Sequence, residues 1–244
     1  MMSECMIEWV GNDGFLLSDQ STTILTDPDL FHSERIWFPS KETKSRCLQA
    51  DFVCYTHAHE DHFSTQTAVW LLHNSRCRFI IPESCREKAN SISDLAERAV
   101  FVTPGHSGSL HTISYQTIRA IHGHKHGTVY SGADVNDCGY VFTLNGKRFY
   151  QPGDTLLLEE HTEMHPVDGL FLSPTEHNTH IDGSIRLIEW LHPTHIICQH
   201  FGTYEEPPVN YFWAHGYVEE LKAALPQSVQ ERLIVPKPEE KIIL

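Results

Sequence analysis

The 244-residue sequence lacks several features that would assign it to a specialised class of protein. It has no apolar run approaching the roughly 20 residues of a membrane-spanning helix. Its start, MMSECMIEWVGNDG, lacks the basic-then-apolar order of a secretory signal. No repeat of fixed period and no linker rich in glycine, serine or proline interrupts it. These absences predict a single domain over residues 1–244, located in the cytoplasm and without a membrane partner.

The sequence has no closely spaced pair of cysteines and few positively charged residues. The seven cysteines are odd in number, widely spaced and without a Cys-x-x-Cys pair, so reduced structural thiols are expected. The formal net charge is −14, with 18 lysines and arginines against 32 aspartates and glutamates. Such a chain repels a phosphate backbone unless one basic groove is set apart, and no segment of the sequence predicts a groove of that kind. Nucleic acid is therefore not expected as a partner.

Short runs rich in β-branched and aromatic residues recur along the chain and predict strands. They are CMIEWV, TTILT, DFVCYT, RFIIP, AVFVT, YQTIRAI, YVFTL, RFYQ, GLFLS and HIICQ. Asn145-Gly146, between two of these runs, predicts a two-residue hairpin turn because both residues tolerate positive φ. Helices are predicted over 64–72 with Ser64 as N-cap, over 182–191 with Asp182 as N-cap, and over 211–225. Strands alternating with helices predict a layered α/β architecture.

Histidine is abundant, with 18 residues, and the densest group is YTHAHEDHF at 55–63. Three histidines and two carboxylates occupy the six positions 57–62. In an extended segment His57 and His59 project to the same side, while Asp61 and His62 fall in the turn that follows. These neighbouring side chains cannot all reach one ion, so the spacing favours two.

Other potential ligands follow apolar runs farther along the chain. His122, Asp154 and His200 each come just after a predicted strand, as His57 does, and sheet proteins commonly build sites from such loops. A catalytic metal ion of the zinc type uses about three protein ligands and keeps one position open for water. Two ions thus require about six ligands, one of which can bridge, with Asp154 as the candidate for the bridge. The predicted set is His57, His59, Asp61, His62, His122, Asp154 and His200.

The motifs THAHEDH, PGDT and CQHFGTY, in that order and with ILTDP near the start, resemble those of the metallo-β-lactamase superfamily. Among its members the chain looks most similar to small metal-dependent hydrolases related to L-ascorbate-6-phosphate lactonase. The resemblance implies a four-layer αββα sandwich with a dinuclear site at one edge. It implies His57, His59 and a mid-chain histidine on one ion, Asp61, His62 and His200 on the other, and Asp154 on both. The segment AIHGHKHG offers His122, His124 and His126 as the mid-chain ligand, and His122 is preferred because it directly ends the strand.

The predicted activity is metal-dependent hydrolysis. Two divalent ions would bridge a hydroxide that attacks an ester, lactone or phosphodiester of a small-molecule substrate. Zinc is the first choice of ion, and manganese, iron and nickel are alternatives for imidazole and carboxylate ligands. Asp61 and Asp154 are assigned to the catalytic set, and His180 is assigned as the acid that protonates the leaving group, with His177 and Tyr204 as alternatives.

Two other functions remain open. One is iron-dependent oxygen chemistry of the persulfide dioxygenase type, against which the full second ligand set, including Asp61, weighs. The other is a non-catalytic scaffold that a metal stabilises and that binds a partner. A homo-oligomer is also left open.

Overall fold

Two seven-stranded β-sheets face each other in the structure, a computed structural model that describes residues 4–244. The strands are β1 (Met6–Gly11), β2 (Gly14–Ser18), β3 (Thr23–Thr26), β4 (Phe52–Cys54), β5 (Arg78–Pro82), β6 (Ala99–Val102), β7 (Ser107–Leu110), β8 (Ile113–Ala120), β9 (Gly123–His124), β10 (Thr128–Val129), β11 (Asp137–Leu144), β12 (Lys147–Gln151), β13 (Gly169–Leu172), β14 (His195–Cys198), β15 (Leu233–Ile234) and β16 (Lys241–Ile243). The first sheet has the order β16-β1-β2-β3-β4-β5-β6 and the second the order β15-β14-β13-β12-β11-β8-β7. β9 and β10 form a separate ribbon.

Helices cover the outer face of each sheet. They are α1 (Lys41–Cys47), α2 (Thr65–Asn74), α3 (Arg86–Ser91), α4 (His180–Leu191), α5 (Tyr211–Ala214), α6 (Val218–Ala224) and α7 (Gln227–Gln230), with 3₁₀ turns at Glu83–Cys85, Ala96–Arg98, Lys125–Gly127 and Glu159–Glu163. Buried residues of α1, α2 and α3 pack on the first sheet, and those of α4 and α6 pack on the second. A third apolar cluster fills the space between the sheets. The predicted four-layer αββα sandwich is confirmed.

Strands buried on both faces explain the continuous apolar runs of the sequence. In β4, Phe52 and Cys54 face the core between the sheets, while Val53 faces the helices. In β13, Phe171 points between the sheets and Leu170 points toward α4. Because β3 to β6 run parallel, and β12 to β15 likewise, the carboxyl ends of these strands lie together at one edge of each sheet. That edge is where ligand-binding loops of α/β proteins are found.

Most of the predicted elements are confirmed. All ten predicted strands occur, with ends shifted by at most three residues. Asn145 and Gly146 turn the hairpin between β11 and β12 with φ of 49° and 80°. Ser64 caps α2, and its side chain accepts a hydrogen bond from the Thr67 backbone N–H. Six strands are not predicted from the sequence, namely β2, β7, β9, β10, β15 and β16. Residues 1–3 of the predicted 1–244 domain lie outside the described residues.

Two helix predictions are wrong in detail. The helix expected over 211–225 is broken into α5 and α6, because Gly216 and Tyr217 adopt left-handed conformations with φ of 78° and 50°. α4 begins at His180, so Asp182 is not its N-cap but lies in its first turn. A carboxylate there still interacts favourably with the positive end of the helix dipole. Within residues 4–244 no helix is both long and apolar enough to cross a membrane.

Candidate metal centre

All seven predicted ligands converge at the edge where the parallel strands end. The β4–α2 connection supplies four of them, and His122, Asp154 and His200 follow β8, β12 and β14. Asp154 Oδ2 lies at the centre of the group. Its distances to surrounding Nε2 atoms are 4.0 Å for His57, 3.4 Å for His62, 3.2 Å for His122 and 3.5 Å for His200.

Six of the ligand atoms fall into two groups of three, and Asp154 belongs to further groups that overlap them, one with His57 and His62 and one with His122 and His177. The ligand atoms of His57, His59 and His122 lie within 4.8 Å of one another, and so do those of Asp61, His62 and His200. Asp61 Oδ2 is 3.5 Å from Nε2 of both His62 and His200. The division matches the two ligand sets that the sequence predicts. We call the first group the triple-histidine set and the second the aspartate set.

Unsatisfied nitrogen atoms indicate that the aspartate set fits a cation. Nε2 of His62 and Nε2 of His200 are buried without a hydrogen-bond partner among residues 4–244. A buried polar atom without a partner is unfavourable, and a cation between these two atoms and Asp61 would remove that penalty. The surrounding carboxylates also favour positive charge. Burial lowers the pKa of His200, but Asp154 and Asp13 outweigh burial and raise it to about 9.

Two members of the triple-histidine set, His57 and His59, are neutral imidazoles. Burial, followed by the charge of His122, lowers the pKa of His59 to about 4. Burial and the neighbouring His62 hold the pKa of His57 well below its usual value. Neutral imidazoles keep a lone pair available, which metal coordination requires.

Asp154 is held as a carboxylate. Burial alone would raise its pKa, but the neighbouring histidines, His200 and His177 first, hold it well below its usual value. The motif PGDT places Asp154 through Gly153, whose φ is +62° and which lies so close to Thr56 that a Cβ there would be 2.5 Å from the Thr56 Cβ. Glycine therefore permits the close approach of the Asp154 and His57 segments.

A second layer of hydrogen bonds orients the ligands. Asp27, from the ILTDP motif, accepts hydrogen bonds from the Thr56 backbone N–H at 2.8 Å and from Thr56 Oγ1 at 2.6 Å. It also accepts one from His62 Nδ1 at 3.0 Å, which leaves His62 Nε2 facing Asp154. His122 Nδ1 donates to the Gly123 carbonyl at 2.7 Å and so turns Nε2 toward Asp154. Ligating histidines in proteins are commonly fixed in this way.

His177, which sequence reasoning offered only as an alternative acid, lies inside the cluster. It follows β13, is buried, and its Nε2–H donates to Asp154 Oδ2 at 2.8 Å. Asn178 Nδ2 donates to the other oxygen, Asp154 Oδ1, at 2.9 Å. Asp13, another residue absent from the predicted set, is buried nearby with Oδ2 3.8 Å from His62 Nδ1. Only the loop position after an apolar strand could have indicated His177, and it does not distinguish His177 from His180.

The structure does not bring His180, the predicted acid, into this cluster. His180 is exposed at the start of α4 with φ of 51°, and its ring packs against Tyr217 at 5.4 Å between ring centroids. The turn into α4 directs it away from the cavity that His177 lines. Tyr204 does line the cavity, but its hydroxyl donates to Asp29 Oδ2, and burial raises its pKa. Neither group is therefore placed as a proton donor to a substrate.

The remaining mid-chain histidines lie outside the two sets. His124 is exposed at the rim of the cavity, and His126 is exposed with Nδ1 3.8 Å from Glu176. The cavity above the ligands has a volume of about 390 Å³. Asp61, His122, Asp154, His177 and His200 form its floor, and Tyr130, Tyr204, Phe212 and Trp213 form its walls.

The chain is similar to known proteins over its whole length. A UPF0173 metal-dependent hydrolase from Methanosarcina mazei is 24% identical over 255 residues, covering 100% of both chains. Among solved structures, Igni18, a metallo hydrolase from Ignicoccus hospitalis, superposes with a TM-score of 0.77 and 18% identity, covering 99% of this chain and 98% of the other. CmlA, a diiron β-hydroxylase from Streptomyces venezuelae, has a TM-score of 0.70 and 16% identity, covering 100% of this chain and 54% of its own.

The match to a protein family covers most of the sequence. Residues 6–200 match the β-lactamase superfamily domain, a range that includes every predicted ligand. With this match, the four-layer fold and the ligand cluster at the sheet edge, the chain belongs to the β-lactamase superfamily.

Proposed function

We propose that this chain is a metal-dependent hydrolase that binds two divalent ions and cleaves an ester, lactone or phosphodiester of a small molecule. The observation that carries the proposal is the division of six ligands into the triple-histidine set and the aspartate set, with Asp154 between them. Three ligands for each ion and one shared carboxylate suit a two-metal hydrolytic site. The relatives named as metal-dependent hydrolases support the same activity.

Zinc is the ion we propose first. The ligands are imidazoles and carboxylates, which also suit manganese, iron and nickel. Thiolate ligands are not expected, since all seven cysteines are buried and unpaired, and burial raises the pKa of Cys198 to about 12.

The residues of the chain would divide the catalytic work. When bound, divalent ions at such a site lower the pKa of water and polarise the bond under attack. Neutral His57 and His59 supply lone pairs, and Asp154 supplies a carboxylate that Asn178 holds at its other oxygen. His177 lies closest to Asp154 among the buried histidines and holds a proton on Nε2 at the floor of the cavity. We therefore assign His177 the role of orienting the Asp154 carboxylate, and His180 is not retained as the acid.

The alternative functions have weaker support. The likeness to the diiron β-hydroxylase is one of fold, and it leaves iron in the set of ions to be tested. A single-iron site would not need the aspartate set, whose ligand atoms nevertheless lie within 4.8 Å of one another. A scaffold without catalysis would not need an open cavity above the ligands. The resemblance to L-ascorbate-6-phosphate lactonase keeps lactones among the substrates to be tested.

Metal analysis of the purified protein tests the proposal. We expect about two ions per chain, and about one in each of His57→Ala and His200→Ala. His73→Ala is the matched control, because His73 is an exposed histidine on α2. The metal-loaded protein should hydrolyse at least one member of a panel of aryl esters, lactones and phosphodiesters, and both ligand variants should lose that activity. No metal after reconstitution with zinc, manganese and iron, or one ion that His200→Ala leaves bound, would overturn the two-ion site.

A further inference from the structure

We propose that the substrate carries an uncharged aromatic or alicyclic group beside the bond that is hydrolysed, and no phosphate or carboxylate outside the reacting group. The inference rests on the proposed function, since it names the substrate class of the same site. Two observations support it. Aromatic rings lie against the candidate ligands, and no lysine or arginine is among the described residues that line the cavity.

One wall of the cavity covers the triple-histidine set. The Tyr130 ring centroid lies 5.3 Å from that of His122 and 5.6 Å from that of His59. Tyr130 directly follows β10, and its backbone N–H donates to the His122 carbonyl at 2.9 Å. This hydrogen bond ties the ring to the strand end that also supplies His122.

A second wall lies beside His177 and His200. In α5, the Phe212 ring lies 6.0 Å from the His177 ring, and the Trp213 ring lies 6.3 Å from the His200 ring. The aromatic surface thus begins at the candidate ligands themselves. A substrate whose reacting bond lies at these ligands must place its adjacent group against one of the two walls. Aromatic and alicyclic groups bury the most apolar area against such rings.

The cations near the cavity do not line it. The Lys125 ammonium lies 4.8 Å from the centre of the Phe212 ring, and Lys88 pairs with Glu60 at 2.9 Å. Arg35 is buried with Asp29, 3.3 Å away. No lysine or arginine is among the described residues that line the cavity. A phosphate or carboxylate substituent would therefore be desolvated without the charged partner that usually accompanies it.

The carboxylates at the mouth of the cavity also offer little to a cationic substituent. The Glu60 carboxylate accepts hydrogen bonds from the Thr65 hydroxyl at 2.6 Å and from the Thr65 backbone N–H at 2.9 Å, besides its pair with Lys88. Glu34, the other glutamate at the mouth, is exposed to solvent, where ion pairs contribute little. The walls are thus suited to an uncharged group.

The first experiment compares four esters with the same reacting bond, using the zinc-loaded protein. They are methyl phenylacetate and its para-carboxylate, para-phosphate and para-trimethylammonium derivatives, with hydrolysis followed by pH-stat. We expect kcat/KM at least tenfold higher for the uncharged ester than for each charged one. Phe212→Ala and Trp213→Ala should raise KM for the uncharged ester about tenfold, equivalent to about 1.4 kcal/mol. Tyr211→Ala is the control, because Tyr211 belongs to the same helix but does not line the cavity.

A binding measurement separates this inference from the proposed function. Benzyl alcohol should quench the tryptophan fluorescence of the zinc-loaded protein, and the effect should disappear in Trp213→Phe and weaken about tenfold in Phe212→Ala. Binding with this pattern, but without hydrolysis of any ester, lactone or phosphodiester, would support the aromatic walls as the binding site of an uncharged ring and overturn the hydrolase. Hydrolysis that is indifferent to charge, with KM unaltered in both aromatic variants, would overturn the inference and leave the hydrolase standing. A preference for the phosphate or trimethylammonium ester would likewise overturn it.

Discussion

His177 Nε2 lies 2.8 Å from Asp154 Oδ2, the shortest of the contacts between that oxygen and the surrounding histidines. The contact joins the loop after β13 to the loop after β12, and the adjacent Asn178 binds the second oxygen of the same carboxylate at 2.9 Å. Both oxygens of Asp154 are thereby fixed from one segment. The orientation of the Asp154 carboxylate therefore depends on two residues, His177 and Asn178, that are not among the predicted ligands.

Replacement of His177 should reduce activity more than replacement of the predicted acid. We expect His177→Phe to lower kcat about 10- to 100-fold, because Asp154 loses the hydrogen bond that orients its carboxylate. His180→Ala should stay within twofold of the unaltered protein, since His180 is exposed and packs on Tyr217. Turnover and bound metal are measured for each variant. A large loss of kcat in His180→Ala with metal retained would restore the sequence-based assignment.

Asp27 should control the affinity of the aspartate set for its ion. Asp27→Asn weakens the acceptor of His62 Nδ1 at 3.0 Å, and His62 is then free to rotate or to change tautomer. We expect metal affinity at this set to fall about 10- to 100-fold, with the triple-histidine set less affected. Chelator competition with metal analysis measures the two affinities. Asp94→Asn, at an exposed position, is the control, and equal affinities in both variants would contradict a role for Asp27.

The sequence predicts much of the fold because the strands are buried on two faces. The central residues of DFVCYT and HIICQ are apolar, since alternate residues enter the core between the sheets and the layer beneath the helices. The sequence does not predict the break between α5 and α6. FWAHGY continues an apolar pattern through Gly216, and only the contact with Phe201, whose Cβ a Cβ at position 216 would overlap, shows why the chain must turn there.

The predicted ligands could be found because each is close to a recognisable local pattern. His57 to His62 form one dense motif, and His122, Asp154 and His200 follow apolar strands. His177 and His180 share one polar loop, SPTEHNTH, and spacing alone gives no preference between them. In the structure His177 lines the cavity, whereas His180 is exposed at the start of α4 with a left-handed backbone.

The glycine of PGDT should be needed for stability as well as for the site. In Gly153→Ala the new Cβ would lie 2.5 Å from the Thr56 Cβ, at a residue with φ of +62°. Gly146→Ala is a matched control, because Gly146 has φ of +80° but no atom within 4 Å of the methyl group that alanine would add. Left-handed backbone alone costs about 1 kcal/mol, and the clash adds about 1–3 kcal/mol. Urea unfolding should therefore show a larger loss for Gly153→Ala, and equal losses would indicate that the Thr56 segment yields without cost.

His161 should make stability depend on pH independently of the metal centre. It is fully buried beneath the second sheet, where its Nδ1 accepts from the Leu158 backbone N–H at 3.0 Å and its Nε2 contacts the Tyr150 hydroxyl at 2.9 Å. Burial lowers its pKa from 6.5 to about 4. The unfolded chain therefore takes up a proton below about pH 6.5 that the folded chain accepts only near pH 4. The stabilisation is fully present above pH 6.5 and is lost as the pH falls through this window, by about 3 kcal/mol in total.

The measurement is the free energy of unfolding in urea between pH 7.5 and 4 for the unaltered protein and for His161→Gln. Glutamine does not titrate, so the variant should lose less stability over this range, and the difference between the two curves should approach 3 kcal/mol. Protonation of the metal ligands also destabilises the protein in acid, but it contributes to both curves and cancels in the difference. His165→Gln, at an exposed histidine four residues away, should follow the unaltered protein. Parallel curves for His161→Gln and the unaltered protein would mean that His161 takes up its proton in the folded state near the same pH as in the unfolded chain.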